Sequence, residues 1–193
     1  LTVVHFSTVR IEQLRKAYDF EVQWVAFPLH PDTPEGGLAL EELFRGRSVD
    51  LAAVKARLKQ VADELGLPLT DRDKTYNSRL AQELAKWAES KDKGDPFHNA
   101  VFRAFFAEGK NIGNIDELSA IAKSVGLPEE EARSILKSRA FSQAVDADWL
   151  RSRDFGITAV PTFVVGRRAV VGAQPYEVLE QLLKTCGAKA RRT

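Results

Sequence analysis

Gly156-Ile-Thr-Ala-Val-Pro-Thr-Phe-Val-Val-Gly-Arg-Arg-Ala-Val-Val171 is the stretch that decides the fold. Thr162–Val165 and Ala169–Val171 are β-branched runs separated by Gly166-Arg-Arg168, which reads as a hairpin with a three-residue, glycine-containing loop. Three residues cannot make a parallel crossover, so the hairpin must be antiparallel. Gln174-Pro175 then starts a final helix with Val178, Leu179, Leu182, Leu183 and Cys186 facing inward. The chain ends β-β-α.

Its opening has the complementary pattern. Leu1–Phe6 (LTVVHF) is a short apolar, β-branched run, consistent with a buried strand. Ile11, Leu14, Ala17 and Tyr18 recur at helical spacing, so a helix is expected from about Thr8 to Tyr18. Phe20, Val22, Trp24 and Ala26 then alternate with Glu21, Gln23, Val25 and Phe27 as a second strand, ended by Pro28 and Pro31. In one sheet, β-α-β implies parallel strands and a right-handed crossover.

Everything from about Glu35 to Arg153 reads as helical. Leu51, Val54, Leu58, Val61 and Leu65 form one stripe, and Leu80, Leu84, Trp87 and Ala88 a second. Asp95-Pro96 places an N-cap before a proline at the first helical position, ahead of Phe97, Val101 and Phe105. Asn114 with Glu117 resembles a capping box, and its helix stops at Gly126. Pro128 opens another helix, and Phe141, Val145 and Trp149 continue the pattern. The expected architecture is α/β: four strands in one sheet, with an all-helical insertion at residues 35–153 between segments 1–34 and 154–193.

Composition narrows the function. The chain has 193 residues, with Lys+Arg 28 against Asp+Glu 27 and a net charge of +1. Binding to nucleic acid needs a clear excess or a dense stripe of basic residues, so none is expected. No apolar run has the length of a membrane span, so no membrane partner is expected either. One cysteine makes no internal disulfide. His5, His30 and His98 stand singly, without ligand spacing, so no metal site is expected. Cys186 reads as a buried, inert thiol, and Trp24, Trp87 and Trp149 read as core. The chain begins at Leu1 and holds no methionine, from which we expect that it is not the whole gene product.

Five segments carry a family resemblance. Gly156–Val165 resembles the Gly-Val-x-x-Val-Pro-Thr-Phe segment before the third strand of thioredoxin-fold proteins. Gly172-Ala-Gln-Pro175, Phe27-Pro-Leu-His-Pro-Asp-Thr-Pro34, Tyr76-Asn-Ser-Arg-Leu-Ala-Gln82 and Phe102-Arg-Ala-Phe-Phe-Ala-Glu-Gly109 are similar to the FrnE-like branch of the DsbA family. The resemblance spans nearly the whole chain. It implies a thioredoxin fold with a helical insertion and a bacterial, cytoplasmic thiol–disulfide oxidoreductase. Its partners would be protein or peptide thiols and disulfides, with glutathione the one small molecule it raises and no other cofactor.

The same resemblance implies a Cys-Pro-Trp-Cys motif between the first strand and first helix, where the helix N-terminus stabilises a thiolate. Here His5-Phe6-Ser7 runs straight into Thr8-Val9-Arg10, and the motif is expected to be missing between Ser7 and Thr8. A competing reading is that the motif is truly absent and the fold serves as a redox-inactive binding module. Related 2-hydroxychromene-2-carboxylate isomerases and kappa-class glutathione transferases instead use a serine at this junction to hold the glutathione thiolate, a role open to Ser7 or Thr8. The matching proline, Pro161, is implied to be cis and to lie beside the site. The expected substrate-binding residues are Val160, Pro161, Ser7, Thr8, Phe27 and Pro28.

Overall fold

A computed structural model describes residues 2–46 and 48–191. The N-terminal helix α1 spans Thr2–Ala17, where a strand and then a helix were expected. Leu1 lies outside the described residues, and Thr2–Phe6 are helical. The reason is local. No glycine or proline interrupts the run, and helix propagates cheaply once nucleated. Buried Phe6, Ser7, Ile11 and Leu14 share one helical face.

β1 (Tyr18–Asp19) pairs antiparallel with β6 (Lys189–Ala190), and beyond it Phe20–Phe27 runs extended but outside any ladder. Its alternation is as read: Glu21, Gln23 and Val25 are exposed, while Phe20, Val22, Trp24 and Ala26 are half-buried. Side chains of the helical layer satisfy its backbone instead of a neighbouring strand. Lys86 Nζ donates to the Trp24 carbonyl at 2.9 Å, the Ala26 amide donates to Asp148 Oδ2 at 2.8 Å, and Gln82 Nε2 donates to the Phe27 carbonyl at 3.0 Å.

β2 (Leu38–Ala39) and the short α2 (Leu40–Leu43) follow, then α3 (Leu51–Glu64), β3 (Lys74–Thr75) and α4 (Arg79–Glu89). Next come α5 (Gly94–Phe106), α6 (Ile115–Ser124), α7 (Glu129–Ser138) and α8 (Ser142–Asp154). The block is not wholly helical, because Leu38↔Thr75 and Ala39↔Lys74 pair antiparallel. Trp87, Phe97, Phe105, Phe106, Leu84, Leu118 and Leu136 form the main core. The α3 stripe contributes little: Val54 is 43% exposed and Ala62 is the buried residue of that helix. Asn114 caps α6 as read, its side chain accepting from the Asp116 and Glu117 amides, and Gly126 stops the chain at φ 83°.

β4 (Thr162–Val165) and β5 (Arg168–Val171) form the expected antiparallel hairpin. Its loop has two residues, since Val165 pairs with Arg168. Gly166, at φ 59°, takes the first loop position, where a II′ turn requires glycine. Phe163, Val165 and Val170 pack with α9 (Tyr176–Thr185), Leu14 and Tyr18 in a second core. The fold is thioredoxin-like with a helical insertion. Among the described residues, however, strands pair only two at a time, so the single four-stranded sheet is not formed. Thr2–Phe6 is helical and Phe20–Phe27 pairs with no strand, so two of the four expected strands are not there.

Candidate functional site

A cleft of about 530 Å³ lies between α1, the extended segment, α4, α5 and the hairpin, within the size range of small-molecule sites. Four of the six residues expected at the site line it together: Ser7, Phe27, Val160 and Pro161. Thr8 and Pro28 are not among its lining residues.

The hairpin fixes the Val160–Pro161 wall. Pro161 is buried and its peptide bond to Val160 is cis. The Gly172 amide donates to the Pro161 carbonyl at 2.7 Å, and Thr162 Oγ1 donates to the Ala159 carbonyl at 2.7 Å. Across the cleft, Val4, Ser7, Ile11 and Leu14 present one face of α1. Ser7 is 2% exposed and Thr8 is 9% exposed. Both lie inside a continuous helix, so no break separates them and neither marks a strand-to-helix junction. The helix N-terminus expected to begin at this pair is therefore not there.

A charged rim that the sequence reading missed borders the same cleft. Lys86 Nζ sits 3.1 Å from Glu89 Oε2 and 2.8 Å from Asp148 Oδ2. Glu89 Oε1 lies 3.4 Å from His98 Nε2, and the His98 ring packs against Trp24 with centroids 4.7 Å apart. Burial pushes the Glu89 carboxyl up, but the His98 contact and the Lys86 charge outweigh it and hold the group below its ordinary range. Asp95 is not the helix cap it resembled. That position falls to Lys93, and Asp95 accepts from Arg15 at 2.6 Å and from Trp24 Nε1 at 2.7 Å. Burial raises the Asp95 carboxyl, and those two donors more than reverse it. Spacing alone hid these contacts: they cross a turn between α4 and α5 and join segments far apart in sequence.

Two further expectations change. Cys186 is exposed, because α9 ends at Thr185 and Gly187 turns the chain at φ 85°, taking position 186 off the buried stripe. Its Sγ lies 3.3 Å from the Val165 carbonyl, and it does not line the cleft. Val178 is likewise 38% exposed, while Leu179, Leu182 and Leu183 remain buried. Of the three tryptophans only Trp87 is fully in the core. Trp24 and Trp149 are half-buried, their ring nitrogens donating to Asp95 and Gln82. Among the described residues no group of three or more His, Cys, Asp or Glu is arranged to hold a metal, and no helix is long and apolar enough to cross a membrane.

A βα-terminated hairpin behind a proline turn, facing a helical insertion across a cleft, defines a thioredoxin-fold protein. The chain belongs to the DSBA-like thioredoxin domain family, whose model matches residues 5–184. It is similar to YwbO, an uncharacterized protein of Bacillus subtilis (strain 168), with 29% identity over 181 residues covering 89% of this chain and 85% of the relative. Among solved structures it resembles the probable DsbA oxidoreductase SCO1869 of Streptomyces coelicolor at TM-score 0.89 and 26% identity, covering 96% and 85% of the two chains. It also shares its fold with a 2-hydroxychromene-2-carboxylate isomerase (TM-score 0.76, 20% identity, 97% and 90% covered). The cytosolic disulfide reductase DsbM of Pseudomonas aeruginosa, solved with GSH, shares the fold too (TM-score 0.64, 17% identity, 95% of each chain).

Proposed function

We propose that the protein is a cytoplasmic thiol–disulfide oxidoreductase of the FrnE-like kind, whose thiol or disulfide substrate lies in the cleft against Val160–Pro161. One observation carries the reading: Ser7, beside which the resemblance puts the redox motif, and Val160–Pro161, where it puts the substrate, line the same cleft. The chemistry is exchange: a thiolate attacks a substrate disulfide, a mixed disulfide forms, one substrate sulfur leaves as thiol, and a second enzyme thiol resolves the intermediate. That requires two enzyme thiols at the site. Cys186 supplies neither, because it does not line the cleft. The resemblance puts such a pair in a Cys-x-x-Cys segment between Ser7 and Thr8, two residues that are consecutive within one helix of this structure.

A second reading follows from Ser7 itself. Its burial in the cleft wall suits a hydroxyl that holds the thiolate of bound glutathione, as in a glutathione-dependent isomerase or transferase. Glutathione would then be a co-substrate. A third, a redox-inactive binding module, needs no thiol at all. Counting thiols in the unfolded native protein separates them. Three thiols together with reduction or oxidation of a model disulfide support exchange chemistry. One thiol with glutathione binding supports the second reading, and one thiol without glutathione binding leaves the third.

A further inference from the structure

Much of the polar capacity inside the cleft is already spent within the protein. Lys86 gives its ammonium to the Trp24 carbonyl, Glu89 and Asp148. Gln82 bonds Phe27 and Trp149, and Ser152 donates to the Ala26 carbonyl at 3.3 Å. The mouth is different. Among the described large apolar residues that stay exposed, Val25, Phe155 and Val164 line this one cleft, and Phe155 is 57% exposed. Apolar side chains gathered at the entrance of a cavity mark a surface that another molecule covers.

Arginines frame the same entrance. Arg151 lines the cleft, its guanidinium 5.8 Å from the centre of the Phe155 ring and one nitrogen donating to Gln23 Oε1 at 3.2 Å. At the tip of the β4–β5 hairpin, Arg167 and Arg168 follow Gly166, itself a lining residue. All three arginines are exposed, and among the described residues none has a carboxylate partner, although Arg15, Arg79, Arg133 and Arg139 do. Opposing charge is sparser. Glu89 is held by Lys86, exposed Asp154 adjoins exposed Arg153 at the end of α8, and Glu21 is the exposed carboxylate of the cleft wall. A guanidinium takes a carboxylate through two parallel hydrogen bonds, and its planar fork loses little freedom in doing so. We propose that the cleft mouth docks acidic peptide segments. An apolar or aromatic side chain lies against Val25, Phe155 and Val164, and flanking Asp or Glu side chains meet Arg151, Arg167 and Arg168. The proposal rests on the thiol–disulfide reading above and names its substrate class: cysteine-bearing peptides with apolar and acidic neighbours.

Fluorescence anisotropy of three synthetic peptides on the full chain tests it. Each carries a tryptophan beside a serine that replaces the cysteine, so binding is read without thiol chemistry. Glutamates, glutamines or lysines flank that pair. The glutamate peptide is expected to bind about tenfold more tightly than the glutamine peptide, and the lysine peptide more weakly than both. Raising the salt to about 0.5 M should shrink the preference. Arg151→Glu, or Arg167→Glu together with Arg168→Glu, should lower it, and Arg151→Lys should keep part of it. Phe155→Ser should weaken the glutamate and glutamine peptides alike. Equal affinity for the three peptides, a preference indifferent to these arginines, or no binding overturns the proposal. So does a dimer that buries Phe155 without peptide, since the occupant is then a second copy. Failure of the thiol reading looks different. Cysteine versions that exchange disulfides at equal rates whatever their flanking charge leave that reading standing and remove the acidic preference, whereas acidic preference without any exchange removes the reading and leaves the docking surface.

Discussion

Trp24 and Asp95 are joined by a 2.7 Å hydrogen bond from the indole nitrogen to Oδ1, which ties the extended segment to the first turn of α5. Arg15 of α1 donates to the other oxygen of the same carboxylate at 2.6 Å. One side chain thus holds three parts of the chain around one side of the cleft, and it does so although the segment that carries Trp24 has no strand beside it.

Replacing Asp95 with alanine removes both bonds and leaves the partly buried Trp24 and Arg15 donors without this acceptor. The expected cost is about 1–3 kcal/mol, one to two charge-assisted hydrogen bonds at protein-interior strength. Urea denaturation of Asp95→Ala checks this, and a midpoint unchanged from the parent protein contradicts it.

Glu83 gives the protein an acid-sensitive link inside the helical layer. Its side chain is 1% exposed and is held by Arg79 at 2.6 Å and by Arg139 at 2.6 Å and 2.8 Å. Burial pushes the carboxyl up, but the Arg139 and Arg79 guanidiniums outweigh it and hold it below its ordinary range. A carboxylate depressed in the folded state contributes stability that is present above its unfolded value of about 4.3 and is lost as pH falls through the folded one. Glu89 and Asp95 act with the same sign. Stability is therefore expected to drop on acidification below about pH 4.5. Glu83→Gln should flatten that slope while lowering stability at neutral pH by on the order of 2 kcal/mol, less than for a fully buried pair because Arg139 reaches solvent. Denaturation curves at pH 3 to 7 on both proteins measure the difference, and parallel slopes sink the assignment.

The hairpin and the cap of α6 were legible because their signals are local: β-branched runs around Gly166, and Asn114 ahead of Glu117. The alternation of Phe20–Phe27 was legible too, but its pairing was not, since pairing depends on what lies beside it. Thr2–Phe6 carries a strand-like composition in a run with no breaker, and the helix won in this structure. At the site, Val160, Pro161 and Ser7 were named through resemblance, and they line one cleft. Lys86, Glu89 and His98 were not, because nothing in their spacing announces that two helices fold them onto Trp24. Cys186 was misread by one residue: its apolar spacing continues past Thr185, where α9 ends before the turn at Gly187.

Cys186 should behave as a surface thiol. Alkylation of the native protein is expected to modify it without unfolding, and Cys186→Ser should change stability by less than about 0.5 kcal/mol, as for other exposed substitutions. Disulfide exchange by the Cys-x-x-Cys pair proposed above should survive that substitution. Its loss would move the reactive sulfur from the cleft to the residue that follows α9.

Titration of the ¹⁵N-labelled protein with reduced glutathione, followed by backbone amide shifts, bears most directly on the cleft as the site of thiol chemistry. The account predicts saturable shifts at Ser7, Phe27, Val160 and Thr162, all four being residues that line the cleft and Thr162 also the amide that follows Pro161. Saturable shifts confined to the surroundings of Cys186, or none at any residue lining the cleft, would contradict it.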